Sequence, residues 1–232
     1  MNDLLVFTCN YGDLNQTALL RRSCELVNID LQIFGGGGWP GYRQGKLVRA
    51  IDFLKTRTEP FALYTDGHDS IVLHDAAVIL DKFQRIGTSI VVSAEKNCWP
   101  DARLAGHYPY PQLPFHNSPW KFINAGGWMG NRLALIEFLS VADTYNGDNL
   151  EDDQRCWTDA FLYNHAWRPL IHVDAGCRIF QTMGGVGGHE LGPNGENLIT
   201  HQFPSVLHFN GRTPNIGLWY RTLTGDLGWK GN

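Results

Sequence analysis

The chain has 232 residues, with 19 Lys+Arg against 23 Asp+Glu, a formal net charge of -4, and 43% hydrophobic and 18% charged residues. A chain of this length buries roughly 70% of its unfolded surface, which excludes disorder and a disulfide-stapled miniprotein and favours a single domain over 1–232. The charge gathers no polyanion, no apolar run reaches the ~18 to 20 residues of a membrane span, and no basic stretch precedes the first apolar run, so the expectation is a soluble, cytoplasmic protein without a membrane partner and with nucleic acid disfavoured.

The first apolar run, residues 4–8, stops at Cys9-Asn10-Tyr11-Gly12-Asp13, as a buried parallel strand feeding a loop does. A helix is expected over 17–27 and a second strand over 31–34, ending in Gly35-Gly36-Gly37-Gly38-Trp39-Pro40-Gly41, a stretch incompatible with regular structure. Leu47, Ala50, Ile51 and Leu54 recur at helical intervals over 46–55. A strand over 61–65, a helix over 76–85 and a strand over 90–94 complete an alternating pattern, which predicts an α/β fold with a mostly parallel sheet. The second half reads as more irregular. It has a Pro- and aromatic-rich stretch over 98–120, a glycine turn at Gly126-Gly127, helices over 132–142 and 152–163, and short strands over 171–173 and 206–209. Cysteines 9, 24, 98, 156 and 177 are odd in number and form no CxxC pair, so reduced thiols are expected rather than a zinc site.

Three features carry chemistry. Tyr64-Thr65-Asp66-Gly67-His68-Asp69 ends an apolar strand with two carboxylates three residues apart. Such a pair either shares a hard divalent cation that also takes substrate phosphates, or forms a polar turn in which Asp66 caps the next segment. Glu151-Asp152-Asp153-Gln154 either complements a helix N-terminus or holds a carboxylate near a sugar or hydroxyl. His208 sits on a short apolar strand ahead of Asn210-Gly211-Arg212, as a satisfied core residue or as a ligand for Mn²⁺. Lys46 and Arg212 are candidate phosphate partners or solvated surface charges. The glycine run at 35–38 fits neither the dinucleotide-binding nor the P-loop spacing, and no serine stands in a G-x-S-x-G elbow.

Taken in order, residues 64–73, 93–101, 122–130, 152–154, 177–181 and 208–211 resemble the glycosyltransferase domain of the procollagen lysyl hydroxylase family. The resemblance implies a GT-A-like fold, a mostly parallel Rossmann-like sheet flanked by helices with an irregular acceptor-side half. It also implies a UDP-sugar donor and Mn²⁺, with Mg²⁺ as the alternative ion. On this likeness Asp66, Asp69 and His208 hold the metal, and Thr8 contacts the uracil. Lys46 and Gly211 lie near the diphosphate, Asp152 and Asp153 line the sugar and acceptor pocket as the catalytic acids, and Trp99, Asn124 and Gln154 stand beside it. Trp39 is expected to form a lip over the donor. The chain departs from the family where His68 replaces the tyrosine that stacks on the base, and where Pro214 replaces a lysine, with Arg212 as the substitute charge.

The expected activity is metal-dependent transfer of a hexose from UDP-glucose or UDP-galactose to a hydroxyl acceptor such as hydroxylysine, a glycan or a hydroxylated base. A nucleotide-sugar hydrolase and a non-catalytic UDP-sugar or glycan binding module are the alternatives.

Overall fold

The computed structural model describes residues 3–109, 111, 114–145, 152–187, 190–211 and 216–226. In chain order the elements are β1 (Leu4–Asn10), α1 (Ala18–Leu26), β2 (Leu31–Gly35), α2 (Arg49–Lys55), β3 (Phe61–Thr65), β4 (Ser70–Val72), α3 (Ala76–Ile86), β5 (Ile90–Glu95), β6 (Phe122–Asn131), α4 (Arg132–Ala142), α5 (Asp153–Tyr163), β7 (Ile171–Val173), β8 (Phe180–Thr182), β9 (Val206–His208) and α6 (Ile216–Thr224). Six strands form one sheet in the order β2-β1-β3-β6-β5-β7, and β4-β9-β8 form a small second sheet. Within the large sheet only β6 runs antiparallel to its neighbours. β1, β3 and β5 therefore end on the same edge, where open α/β sheets bind ligands.

Residue alternation along β1 divides the core. Leu5 and Phe7 pack with Leu54 of α2, Phe138 of α4 and Trp157 of α5 on one face. Leu4 and Val6 pack with Leu20 of α1, Phe83 of α3 and Phe180 and Val206 of the small sheet on the other. Helix ends follow capping chemistry: Asp75 accepts from Val78 N–H at the start of α3, and Gly87 closes that helix at φ 72°.

The predicted glycine turn at 126–127 is corrected, because β6 runs straight through both residues. Glycine serves close approach here. A Cβ on Gly127 would lie 2.8 Å from Phe180, and one on Gly126 would lie 2.1 Å from His208 Cε1 and 2.9 Å from Asp66 Oδ2. The ladder slips at the same place, from Val92 opposite Trp128 to Ser93 opposite Asn124, while Gly126 C=O accepts from Asp66 N–H. The helix expected over 46–55 instead begins as a wide turn at Arg43–Val48 that leads into α2. All five cysteines are free.

Candidate active site

β3 delivers Tyr64, Thr65 and Asp66 to the sheet edge. The turn behind Asp66 is pinned where Thr65 Oγ1 donates to Ser70 Oγ at 2.8 Å. The small sheet supplies the third member of the cluster, since β4 pairs with β9 so that Ser70 faces His208, and Phe209 N–H donates to Asp69 C=O. Asp66, Asp69 and His208 consequently converge, with one ligand atom from each lying within 4.8 Å of the others. His208 Nε2 is 3.3 Å from Asp69 Oδ1 and 3.6 Å from Asp66 Oδ2.

The second nitrogen of His208 sets the tautomer. Nδ1 lies 3.0 Å from Asn124 Oδ1, an oxygen that also accepts from Gly126 N–H at 3.0 Å. That oxygen is an acceptor, so Nδ1 carries the proton and Nε2 faces the two carboxylates with the atom that can bind a metal. Asn124 is held in turn by Glu95 and Gln154: its amide nitrogen donates to Glu95 Oε1 at 3.1 Å, and Gln154 Nε2 donates to the same Glu95 oxygen at 2.6 Å. Asn210 Nδ2 donates to the other Glu95 oxygen at 3.2 Å.

Lys46 neutralises the opposite side. Its ammonium lies 2.7 Å from Asp66 Oδ1 and 2.8 Å from Oδ2, and 3.9 Å from Asp153 Oδ2. Tyr64 donates to Asp66 Oδ1 at 3.0 Å, which leaves Cys9 Sγ, 3.2 Å from the tyrosine oxygen, as donor to Tyr64. Burial opposes charge on Lys46, but Asp66 and Asp153 outweigh it and hold the lysine protonated well above its usual range. Burial likewise works against charge on His208, and Asp69 and Asp66 overcome it to raise the imidazole pKa; the same attraction lowers Asp69 against its own burial. Burial raises Asp153 despite Lys46, and raises Glu95 despite the amide donors around it. The Cys9 thiol is pushed up to about 11, chiefly by burial.

Two cavities meet at this cluster. The larger, about 810 Å³, is lined by Lys46, Asp66, Asp69 and His208 together with Glu95, Trp99, Asn124, Asp152, Asp153, Gln154 and Gly211. The second, about 450 Å³, is lined by Cys9, Asn10, Tyr11, Trp39 and His68 and shares Tyr42, Lys46, Asp66 and Asp69 with the first. Most of the residues singled out in the sequence are thus brought together. Trp39, 48% exposed, stands edge-on to both Tyr11 and Tyr42, and Trp99, 62% exposed, forms an outer wall of the larger cavity. His68 Nε2 lies 3.3 Å from Asn10 Oδ1.

Three expectations need correction or restriction. Thr8 lines neither cavity: it is fully buried inside β1, 2.8 Å from where a Cβ of Gly67 would stand, and its hydroxyl has no hydrogen-bond partner among the described residues. Asp152 caps α5 by accepting from Arg155 N–H at 3.0 Å, so the helix-terminus reading holds for it, while Asp153 is the acid turned towards Lys46. Arg212 and Pro214 lie outside the described residues. Sequence reasoning missed Glu95, Tyr64 and Tyr42. For Glu95 the available signal was an acid ending an apolar strand, the same signal that marked Asp66.

The model of the PLOD GT domain family matches residues 1–216 of the chain. The chain belongs to that family. Among curated relatives, the chain is 31% identical to procollagen-lysine,2-oxoglutarate 5-dioxygenase of Drosophila melanogaster over 211 residues, covering 82% of the chain and 28% of the relative. It is 26% identical to the human multifunctional procollagen lysine hydroxylase and glycosyltransferase, covering 90% of the chain and 30% of the relative. The chain thus spans less than a third of these relatives' length. Among solved structures it resembles apo mouse xyloside xylosyltransferase 1, with TM-score 0.52 and 12% identity over 91% of the chain and 99% of that structure. It also resembles a glycosyltransferase involved in glycosylating the major capsid of PBCV-1, with TM-score 0.51 and 11% identity over 94% and 97%. At those identities the likeness establishes the fold, a GT-A glycosyltransferase fold. Among the described residues no helix is long and apolar enough to cross a membrane.

Proposed function

We propose that this glycosyltransferase domain transfers a hexose from UDP-glucose or UDP-galactose to a hydroxyl acceptor, with a divalent cation held by Asp66, Asp69 and His208. The observation that carries the reading is the junction: the acid–imidazole cluster and Lys46 stand where the two cavities join. The donor set fits Mn²⁺ or Mg²⁺, since it offers two carboxylates and an imidazole whose protonated nitrogen is already bonded elsewhere. Gly126 leaves the room that a side chain would fill. When bound, such a cation supplies Lewis-acid stabilisation of the charge that grows on the diphosphate leaving group.

The remaining roles belong to the chain's own residues. Tyr11, Trp39, Tyr42 and His68 give the smaller cavity an aromatic, planar wall suited to a nucleoside base. Lys46 places a permanent positive charge at the diphosphate position, and its contacts to Asp66 and Asp153 hold it there. Asp153, buried near that ammonium, orients the sugar or stabilises positive charge at its anomeric carbon, while Asp152 holds the first turn of α5 in place. Glu95, Asn124 and Gln154 form the polar wall facing the sugar and acceptor, and Trp99 covers the outer side.

The test is release of free UDP from a panel of UDP-sugars with Mn²⁺ or with EDTA, without acceptor. The reading expects one UDP-hexose to be hydrolysed slowly, the activity to vanish in EDTA and in Asp66→Asn, and the rate to rise when a hydroxyl acceptor is added. Release that is unaffected by EDTA and by Asp66→Asn contradicts the assignment of the metal site.

A further inference from the structure

The connection between β5 and β6, residues 96–121, contributes Trp99 to the active-site cavity and Tyr108, Phe115 and Lys121 to a different cavity of about 430 Å³. This second cavity shares no lining residue with the active site. Among the described residues its charged lining is all of one sign, with Lys121, Arg168 and Arg178 present and no carboxylate. Each cation leans on an aromatic ring instead of an acid. The Arg178 guanidinium is 5.0 Å from the Phe115 centroid, Arg168 is 5.8 Å from Phe161, and Lys121 Nζ is 5.4 Å from Phe122. Among the described residues none of the three has an ion-pair partner.

The nearest acid in sequence is committed elsewhere. Asp174 is fully buried, and its carboxylate accepts the backbone N–H groups of Arg178, Ile179 and Phe180 at 3.0, 2.8 and 2.9 Å. His172 also lines the cavity, and its Nε2 is buried without a hydrogen-bond partner among the described residues. In a chain of net charge -4, three cations lining one cavity with no counter-charge among the described residues mark a surface shaped for an external anion.

The shape narrows the occupant. Pro169, Ile171 and His172 also line an adjoining cavity of about 510 Å³ with Gly87, Thr88 and Ser89, so the two cavities run together as one groove beside β7, an edge strand of the large sheet. A single small anion would fill only part of it. The apolar floor of Tyr108, Phe115 and Phe161 calls for apolar side chains between the negative charges. Three cations confined to one cavity make no extended positive field, on which the affinity for a nucleic acid rests. We infer that this groove docks an extended, acidic polypeptide segment with aromatic side chains interleaved among its carboxylates. The inference does not depend on the donor assignment above.

The experiment is fluorescence anisotropy of the full chain with fluorescein-labelled decapeptides of alternating Glu and Tyr, of alternating Gln and Tyr, and of alternating Glu and Ser. The Glu–Tyr peptide is expected to bind at least tenfold more tightly than either of the others. The Arg168→Ala/Arg178→Ala double variant is expected to lose at least tenfold in that affinity, with unchanged Mn²⁺ and UDP binding. If the double variant loses its circular-dichroism spectrum, Lys121→Gln, at the rim, is read in its place and should lose about threefold. Equal binding of the Glu–Tyr and Gln–Tyr peptides, equal binding of the Glu–Tyr and Glu–Ser peptides, binding unchanged in a folded variant, or no binding of the Glu–Tyr peptide overturns the proposal. So does displacement of the bound Glu–Tyr peptide by an equimolar single-stranded oligonucleotide.

Discussion

The active-site cavity and the groove beside β7 are lined by opposite charges, and their histidines respond in opposite ways. In the active site His208 sits between Asp69, Asp66 and Asn124, and against its own burial the carboxylates raise its pKa. In the groove burial lowers the pKa of His172, Asp174 opposes the shift and Arg178 adds to it, and its Nε2 is unpartnered among the described residues. The active site is distinguished by completed bonding around its ligand cluster, in which nearly every polar atom orients another. The groove is distinguished by charges and a polar atom that have no counterparts among the described residues. A count of acids or bases would separate neither from ordinary surface; the partners do.

The largest effect should come from the proposed metal ligands. Asp69→Asn should keep the fold and lower hexosyl transfer by about a thousandfold or more, because a ligand charge at the developing leaving group is lost. Circular dichroism with a UDP-release assay checks it, and near-wild-type turnover would erase the distinction between the two cavities. Next in size is Asn124→Ala, which frees the His208 ring and its tautomer. Affinity for Mn²⁺ should fall by roughly 10- to 100-fold, as measured by calorimetry, although among the described residues Asn124 Oδ1 bonds to His208 Nδ1 and Gly126 N–H and not to Asp66 or Asp69.

Lys46→Met sharpens the comparison in the reverse direction. Removing the ammonium that competes for both Asp66 oxygens should tighten Mn²⁺ binding by about tenfold while transfer falls, because half-buried carboxylates that lose their counter-charge recruit a cation. Weakened Mn²⁺ binding would mean that Lys46 organises the cluster rather than competing for it. The smallest effect concerns His172. Its folded pKa lies below the unfolded value, so the stability it contributes is present above about pH 6.5 and is lost as pH falls through its folded pKa. Denaturant unfolding of His172→Gln between pH 7 and pH 5 should show a shallower loss of stability than wild type, with Asp174 and Arg178 left in place.

Much of this arrangement was legible in the sequence, for physical reasons that differ by element. An apolar run that stops at an acid marks the carboxyl end of a buried strand, and this located Asp66 and Asp69. Helical periodicity located α2, and α4 coincides with the expected helix over 132–142. What escaped were features set by tertiary contact. β4 and β8 are three residues long, too short for any period, and exist because β9 lies between them. Gly126 and Gly127 read as a turn because glycine punctuates chains, whereas here the missing Cβ admits His208 and Phe180 against β6. The strand expected over 4–8 continues to Asn10, so Cys9 and Asn10 line the smaller cavity while Thr8, which the family resemblance implies at the uracil, is buried. The groove beside β7 could not be read at all, because Lys121 lies far in sequence from Arg168 and Arg178 and only the fold brings them to one cavity.

The most direct test of the central claim is calorimetric titration of UDP into the wild-type chain and into Asp66→Asn, each with Mn²⁺ and with EDTA. The account predicts binding to the wild type that requires Mn²⁺ and is lost in Asp66→Asn, with both proteins equally folded. UDP binding that is equally tight in EDTA, or retained in Asp66→Asn, would contradict a donor site built on the Asp66, Asp69 and His208 cluster.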